Sequence, residues 1–276
     1  MRLAYFGTPS MAVPPLQALV AAGHEVVLVV TRVDKRRGRG GELSPSPVKA
    51  AALELGLPVS HDVDDVLGHG IELGVVVAFG QLIKPHVLSE VPMVNLHFSL
   101  LPRWRGAAPV ERALLAGDRE TGVCLMRLEA GLDTGPIYDT VTIPIGATTT
   151  ADELRHELVA IGTEQLVRCL AEPLPEPTPQ VGEPVYAAKI KADDLRIDWS
   201  GPVEQIDRLV RLGGAWTTFR GKRVKVLAAM LDDAAAVPPC PADGLTLLTV
   251  QPEGKGPMAF ADFARGARPA AGETFE

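Results

Sequence analysis

The densest cluster of chemically capable residues in the 276-residue chain runs from Asn95 to Pro109, through His97, Ser99, Arg103, Trp104 and Arg105. In a β-strand, residues two apart project from the same face, so Asn95 and His97 would emerge together from the end of a strand. Asn95 offers an amide N–H donor, and His97 a ring that titrates near neutral pH. That pairing suits a reaction in which an oxygen gains negative charge while a nucleophile loses a proton. An isolated Asn-x-His also fits a turn cap beside a satisfied core histidine. The polar, proline-broken sequence that follows weakens that plainer reading. A second cluster, Glu129 to Ile137, centres on Asp133, which has Gly131 and Gly135 close on either side. An Asp in such a setting ordinarily makes a turn. The same carboxylate could instead orient His97 and favour its charged form.

A third cluster is basic. Arg32, Lys35, Arg36, Arg37 and Arg39 crowd into one glycine-containing loop, opposed by Asp34. Such a run is ordinarily a solvated face. This one follows a strand, at the end of the sheet where ligands bind in open α/β folds. The net charge of −7 argues mildly against a nucleic-acid partner, but binding depends on where the basic residues sit. Lys222, Arg223 and Lys225 could extend a basic track, although alternating Lys and Arg equally suit an exposed strand face.

The elements that must position these residues alternate strand and helix. Met1 to Phe6, Val26 to Val30, Val75 to Ala78 and Val94 to His97 are short apolar runs, as expected of parallel strands covered on both faces. Ala12 to Ala22 and Pro47 to Leu55 read as helices stopped by Gly23 and Gly56. The alternation implies an α/β domain with a mostly parallel sheet, whose rim would be lined by Gly7, Gly80 and the segment after His97. Ala151 to Leu170 reads as a long helix. The proline-rich stretch from Glu172 to Pro179 can be neither regular helix nor central strand, and reads as an exposed, stiffened connector. Beyond about Lys189, a helix over Val203 to Leu212 and short apolar pieces at Arg223 to Ala228 and Leu245 to Val250 suggest a small β-rich domain. The division expected is therefore 1–188, ending in a proline-rich linker over about 172–188, and 189–276.

With 46% apolar and 22% charged residues, the chain can bury an ordinary core and is not globally disordered. No apolar run approaches the roughly 20 residues needed to cross a bilayer, and the N-terminus reads as a first strand rather than a signal peptide. Cys124, Cys169 and Cys240 are few, odd in number and far apart, which fits a reducing cytoplasm and buried thiols. There is no Cys-x-x-Cys pair, and Gly7-Thr8-Pro9 lacks the glycine spacing of a dinucleotide loop, so no metal or nucleotide cofactor is implied. A monomer is the default expectation.

Taken together, the Asn95-Leu96-His97 and Ser99-Leu100-Leu101-Pro102 segments with distant Asp133 resemble the 10-formyltetrahydrofolate-dependent formyltransferase family. Phe6-Gly7-Thr8-Pro9, Gly38-Arg39-Gly40 with Ser44-Pro45-Ser46-Pro47-Val48-Lys49, and Arg103-Trp104-Arg105-Gly106-Ala107-Ala108-Pro109 narrow the resemblance to the branch that formylates the methionyl amino group of initiator tRNA. Gln251 to Lys255 resembles that branch's C-terminal domain. The resemblance implies a Rossmann-like formyltransferase domain followed by a small OB-like β-barrel that binds tRNA, and a role in translation initiation. It implies Asn95, His97 and Asp133 as catalytic residues. It implies a folate site built from Phe79, Gly80, Gln81 and Leu82 with Ser99, Leu100, Leu101 and Pro102, in which Ser99 is structural or folate-contacting. Arg32, Lys35, Arg36, Arg37 and Arg39 would meet the tRNA acceptor end. The sequence departs from the family at Phe79, where Tyr is common. It is also short over 57–73 and 234–245, and it lacks the Asn-Pro-Trp-Pro often found before Gly214-Ala215-Trp216. Two other readings share part of this pattern: a formyltransferase for a small amine such as an amino sugar nucleotide, and a non-catalytic tRNA-binding module. The first would not need the basic loop; the intact Asn-His-Asp set argues against the second.

Overall fold

A computed structural model describes residues 1–37, 41–232 and 235–276, the side chains of Arg37 and Glu42 excepted. In chain order the strands are β1 (Arg2–Gly7), β2 (Glu25–Val30), β3 (Lys35–Arg37), β4 (Glu42–Ser44), β5 (Val59–Ser60), β6 (Leu73–Val77), β7 (Met93–His97), β8 (Arg105–Gly106), β9 (Glu120–Arg127), β10 (Ile137–Pro144), β11 (Tyr186–Ala187), β12 (Trp216–Phe219), β13 (Lys222–Leu231), β14 (Leu245–Pro252) and β15 (Met258–Ala259). The helices are α1 (Val13–Ala21), α2 (Pro47–Glu54), α3 (Pro85–Glu90), α4 (Pro109–Ala116), α5 (Ala151–Leu170), α6 (Val203–Leu212) and α7 (Phe260–Ala267).

The chain divides into two compact units. The first comprises Met1–Pro109, Glu120–Pro144 and Arg155–Ala188; the second, Val110–Arg119, Ile145–Leu154 and Lys189–Glu276. Most of α4 and the first turn of α5 therefore group with the later residues, which no composition shift in the sequence announces.

The first unit is built on a seven-stranded sheet in the order β10-β9-β7-β6-β1-β2-β5. The strands from β7 to β5 are parallel, and β9 and β10 run antiparallel at one side. Four of the five parallel strands, β1, β2, β6 and β7, are the short apolar runs read from the sequence; the two-residue β5 leaves no such run. All five residues of β6 and of β7 are buried, as strands covered on both faces must be. Between β2 and α2 the side chain of Ser46 accepts the backbone N–H of Lys49, and Pro47 opens the helix. The Ser46 hydroxyl also bonds that of Thr31, both buried, so the end of β2 is tied to the start of α2.

The second unit holds a four-stranded antiparallel sheet in the order β12-β13-β14-β15, whose core includes Ile206, Val210, Phe219, Val226, Val250 and Phe260. One face of α6 supplies Ile206, Leu209, Val210 and Leu212 to it, the 3–4 spacing the sequence displays. Phe275 stacks on Trp199 with ring centroids 5.6 Å apart, and backbone bonds between Glu276 and Thr218 lay the last residues along β12. Among the described residues, no helix is long and apolar enough to cross a membrane.

Candidate active site

The carboxyl ends of β1, β6 and β7 meet on one rim. The Thr8 hydroxyl donates to the Phe79 carbonyl at 3.2 Å, and the Arg32 guanidinium donates to the Gly80 carbonyl, drawing the turns after β1, β2 and β6 together. Asn95 and His97 lie on β7, two residues apart. Their register partners are Val76 of β6 for Asn95, and Met126 and Cys124 of β9 for Asn95 and His97 respectively.

His97 is 5% exposed. Its Nε2–H donates to the Trp104 carbonyl at 3.0 Å, and its Nδ1 lies 3.6 Å from Asp133 Oδ2. The ring is thus held through Nε2, while Nδ1 faces the carboxylate without a hydrogen bond to it. Asp133 Oδ2 also accepts the Gly106 backbone N–H at 2.7 Å. The Asn95 carboxamide is 9% exposed and has no hydrogen-bond partner among the described residues. Its polar atoms keep some contact with solvent, so they remain available to a ligand at the strand end. Ala78, Trp104 and Asp133, in the loops around these residues, have φ of 47°, 66° and 50°. Such left-handed backbone costs a non-glycine residue roughly 1 kcal/mol or more, and clusters of it mark sites where geometry outranks stability. Cys124, beside His97 on β9, is no competing nucleophile. Burial pushes its thiol up, which suppresses the thiolate at neutral pH.

The residues expected to meet a folate separate into two groups. Phe79 and Ser99 are turned into the protein. The Phe79 ring packs edge-on against Phe6, 5.5 Å between centroids, and the fully buried Ser99 hydroxyl donates to the Arg103 carbonyl at 2.7 Å. Their side chains shape the loops and are closed to a ligand. Gly80, Gln81 and Leu82 are exposed, Leu82 to 78%, while Leu100, Leu101 and Pro102 are half-buried.

The basic loop is a β-hairpin, a form that its charged sequence does not signal. Lys35, Arg36 and Arg37 of β3 pair with Ser44, Leu43 and Glu42 of β4. Lys35 and Arg36 are exposed. Arg36 donates to the Gly41 carbonyl, and Asp34 pairs with Lys49, Nζ to Oδ2 being 2.7 Å. Arg32 is half-buried and engaged with Gly80, so it braces the rim instead of standing free. Arg39 lies outside the described residues, as does the Arg37 side chain. Sequence reasoning missed Gly106 and Trp104 as partners of the Asp133–His97 pair. Both sit in the conspicuous Arg103 to Pro109 run, but backbone groups leave no mark of their own in a sequence.

Residues 1–170 match the family model for formyl transferase, and residues 189–268 match the one for its C-terminal domain. A methionyl-tRNA formyltransferase of Dinoroseobacter shibae is 45% identical, the alignment covering 98% of this chain and 95% of the relative. One from Thermobifida fusca is 44% identical, over 100% of this chain and 99% of the relative. In fold, the chain is similar to a sugar 3N-formyl transferase crystallised with dTDP and 5-N-formyl-THF, with a TM-score of 0.69 at 19% identity, covering 93% of this chain and 99% of that one.

Proposed function

This chain belongs to the formyl transferase family, and on that premise we propose that it transfers the formyl group of 10-formyltetrahydrofolate to the free amino group of initiator methionyl-tRNA, with Asn95, His97 and Asp133 as its catalytic set. The observation that carries the reading is the convergence of an Asn95 amide unpartnered among the described residues and a His97 held between Trp104 and Asp133 on the same strand end, in a chain with near-full-length relatives of that activity.

The bound donor supplies an N-formyl carbonyl, a poor electrophile. Attack by the amine places negative charge on the formyl oxygen. The Asn95 side-chain N–H, carried on a buried strand and free of other bonds among the described residues, is placed to receive that charge; one preorganised donor of this kind is worth roughly 3 kcal/mol in the transition state. The attacking nitrogen must also lose a proton. His97 takes that proton at Nδ1, the ring nitrogen not bonded to Trp104, with Asp133 facing it, and returns it to the folate nitrogen as the bond from that nitrogen to the formyl carbon breaks and tetrahydrofolate leaves. Proton handling of this kind contributes typically about 10²–10⁴-fold. The exposed Leu82 and the backbone from Gly80 to Leu82 offer a flat ring an apolar surface with peptide groups to bond, and Leu100 to Pro102 flank it. Lys35 and Arg36, with Arg37 and Arg39, supply the charge for the phosphates of an acceptor stem, and the protein acts as a monomer.

Two measurements test this. With 10-formyltetrahydrofolate as donor, the protein formylates charged initiator tRNA and leaves an amino sugar nucleotide untouched; the opposite preference would give the small-amine reading the better claim. In addition, Arg36→Ala, Arg37→Ala and Arg39→Ala each weaken tRNA binding and reduce the salt slope of its affinity by roughly one unit or less, because each lost phosphate contact releases fewer counterions. Folate affinity stays at the parent value. Four proteins with the same tRNA affinity and slope would show the hairpin to be only a solvated face.

A further inference from the structure

Gln180 lies in the proline-rich connector, 47 residues from Asp133 in sequence. Its carboxamide is fully used. The NH₂ donates to the Asp133 and Gly135 carbonyls, each at 2.8 Å, and Oε1 accepts from Arg105 Nε at 3.1 Å and Nη2 at 2.6 Å. One side chain therefore joins the loop that carries Asp133 to the residue preceding Gly106, whose N–H bonds the Asp133 carboxylate. The connector around it is sewn to both loops. Thr178 exchanges backbone bonds with Ile137, both at 2.8 Å; Val185 bonds Pro102 and Arg105; Ala187 accepts from Ala107. At Gly106 an added Cβ would come within 3.0 Å of the Ala187 carbonyl, and at Gly135 within 1.9 Å of the Arg127 carbonyl. Backbone thus passes close to backbone at both glycines, and a side chain at either would push the two apart.

From this network we propose that Gln180 is a positioning residue for formyl transfer. Its carboxamide locks the Asp133 loop to Arg105 and Gly106, and so sets the carboxylate opposite His97. The inference rests on the catalytic assignment of His97 and Asp133 made above. Glutamine suits the position because it presents two donors and two acceptors in one plane. A glutamate of the same shape would keep the Arg105 contact but turn an oxygen toward the two carbonyls. The backbone at Asp133 has a φ of 50°, so the loop needs an outside restraint to stay in that conformation.

The test uses the full chain with Gln180→Glu and, as a variant without misplaced charge, Gln180→Ala. Each is expected to lower kcat by about tenfold or more, as displacement of a catalytic group by a fraction of an ångström does, with KM for both substrates within roughly threefold of the parent. Combined with Asp133→Asn, Gln180→Glu should cost little further, because both changes act through one carboxylate. Losses that multiply in the double variant, or a parent-like kcat in both single variants, would overturn the proposal. A substrate-free readout separates this from the functional reading: amide exchange at Gly106 accelerates in both single variants. Unchanged exchange refutes the clamp. A parent protein that transfers no formyl group to methionyl-tRNA, but whose Gly106 exchange responds, refutes the assigned reaction and leaves the clamp standing.

Discussion

Asn95→Ala and His97→Ala are each expected to lower kcat for formyl transfer by about 10²-fold or more while the protein still folds. A hundredfold corresponds to about 2.7 kcal/mol of transition-state stabilisation, which is within what one preorganised donor supplies in a water-poor site. The two changes should differ in their effect on stability. The Asn95 amide has no hydrogen bond among the described residues and its polar atoms reach solvent, so its removal breaks none there. Asn95→Ala should therefore melt close to the parent temperature, lowered only by the small void it leaves. His97→Ala loses the bond to the Trp104 carbonyl and the facing of Asp133, leaving a buried carboxylate with only the Gly106 N–H. A cost of about 1–3 kcal/mol follows, tolerable against a total stability of roughly 5–15 kcal/mol. Single-turnover rates and thermal melts decide it. A rate within about threefold of the parent in either variant removes that residue from the catalytic set.

That β7 is legible in the sequence and its surroundings are not has one physical cause. Val94 to His97 is a buried strand whose apolar residues declare it locally, and Asn95 and His97 stand out because they interrupt that pattern. The long helix from Ala151 and the helix from Val203 were legible for similar reasons. At Ala151, Thr150 and Glu153 form a reciprocal cap, Thr150 N to Glu153 Oε2 being 2.9 Å. At Val203, the apolar face repeats at helical spacing. The sequence from Arg32 to Arg39 shows only a loop, because its charged residues carry no apolar alternation to mark the pairing of β3 with β4. The antiparallel β9 and β10 complete the sheet beside β7, yet their places depend on pairing and not on composition. The connector was the hardest to read. Prolines mark it as irregular, but its bonds to Asp133, Arg105 and Pro102 join residues far apart in the chain, through backbone groups that every sequence possesses.

Three substitutions at Asp133 should separate its charge from its place in a turn. Asp133→Asn, Asp133→Gly and Asp133→Ala are each expected to lower kcat by about 10²-fold, and Asp133→Asn should also change the pH–rate profile across roughly pH 6 to 9. The carboxylate is 12% exposed and lies 3.6 Å from His97 Nδ1, so water screens the interaction far less than it does the exposed Lys84–Asp64 pair. Stability should follow a different order. At a φ of 50° glycine carries no Cβ penalty and asparagine only a small one, whereas alanine has neither the freedom nor a polar side chain. Asp133→Asn also keeps an oxygen for the Gly106 N–H. Asp133→Ala should therefore melt lowest, with Asp133→Asn and Asp133→Gly close to the parent. A residue whose task was only to form the turn would give rates that track this stability order, with Asp133→Gly almost fully active. A residue kept for its charge gives three poor catalysts of unequal stability. Full activity of Asp133→Asn at every pH would leave His97 without a functional anionic partner, and proton handling would then have to rest on the imidazole and the Trp104 carbonyl alone.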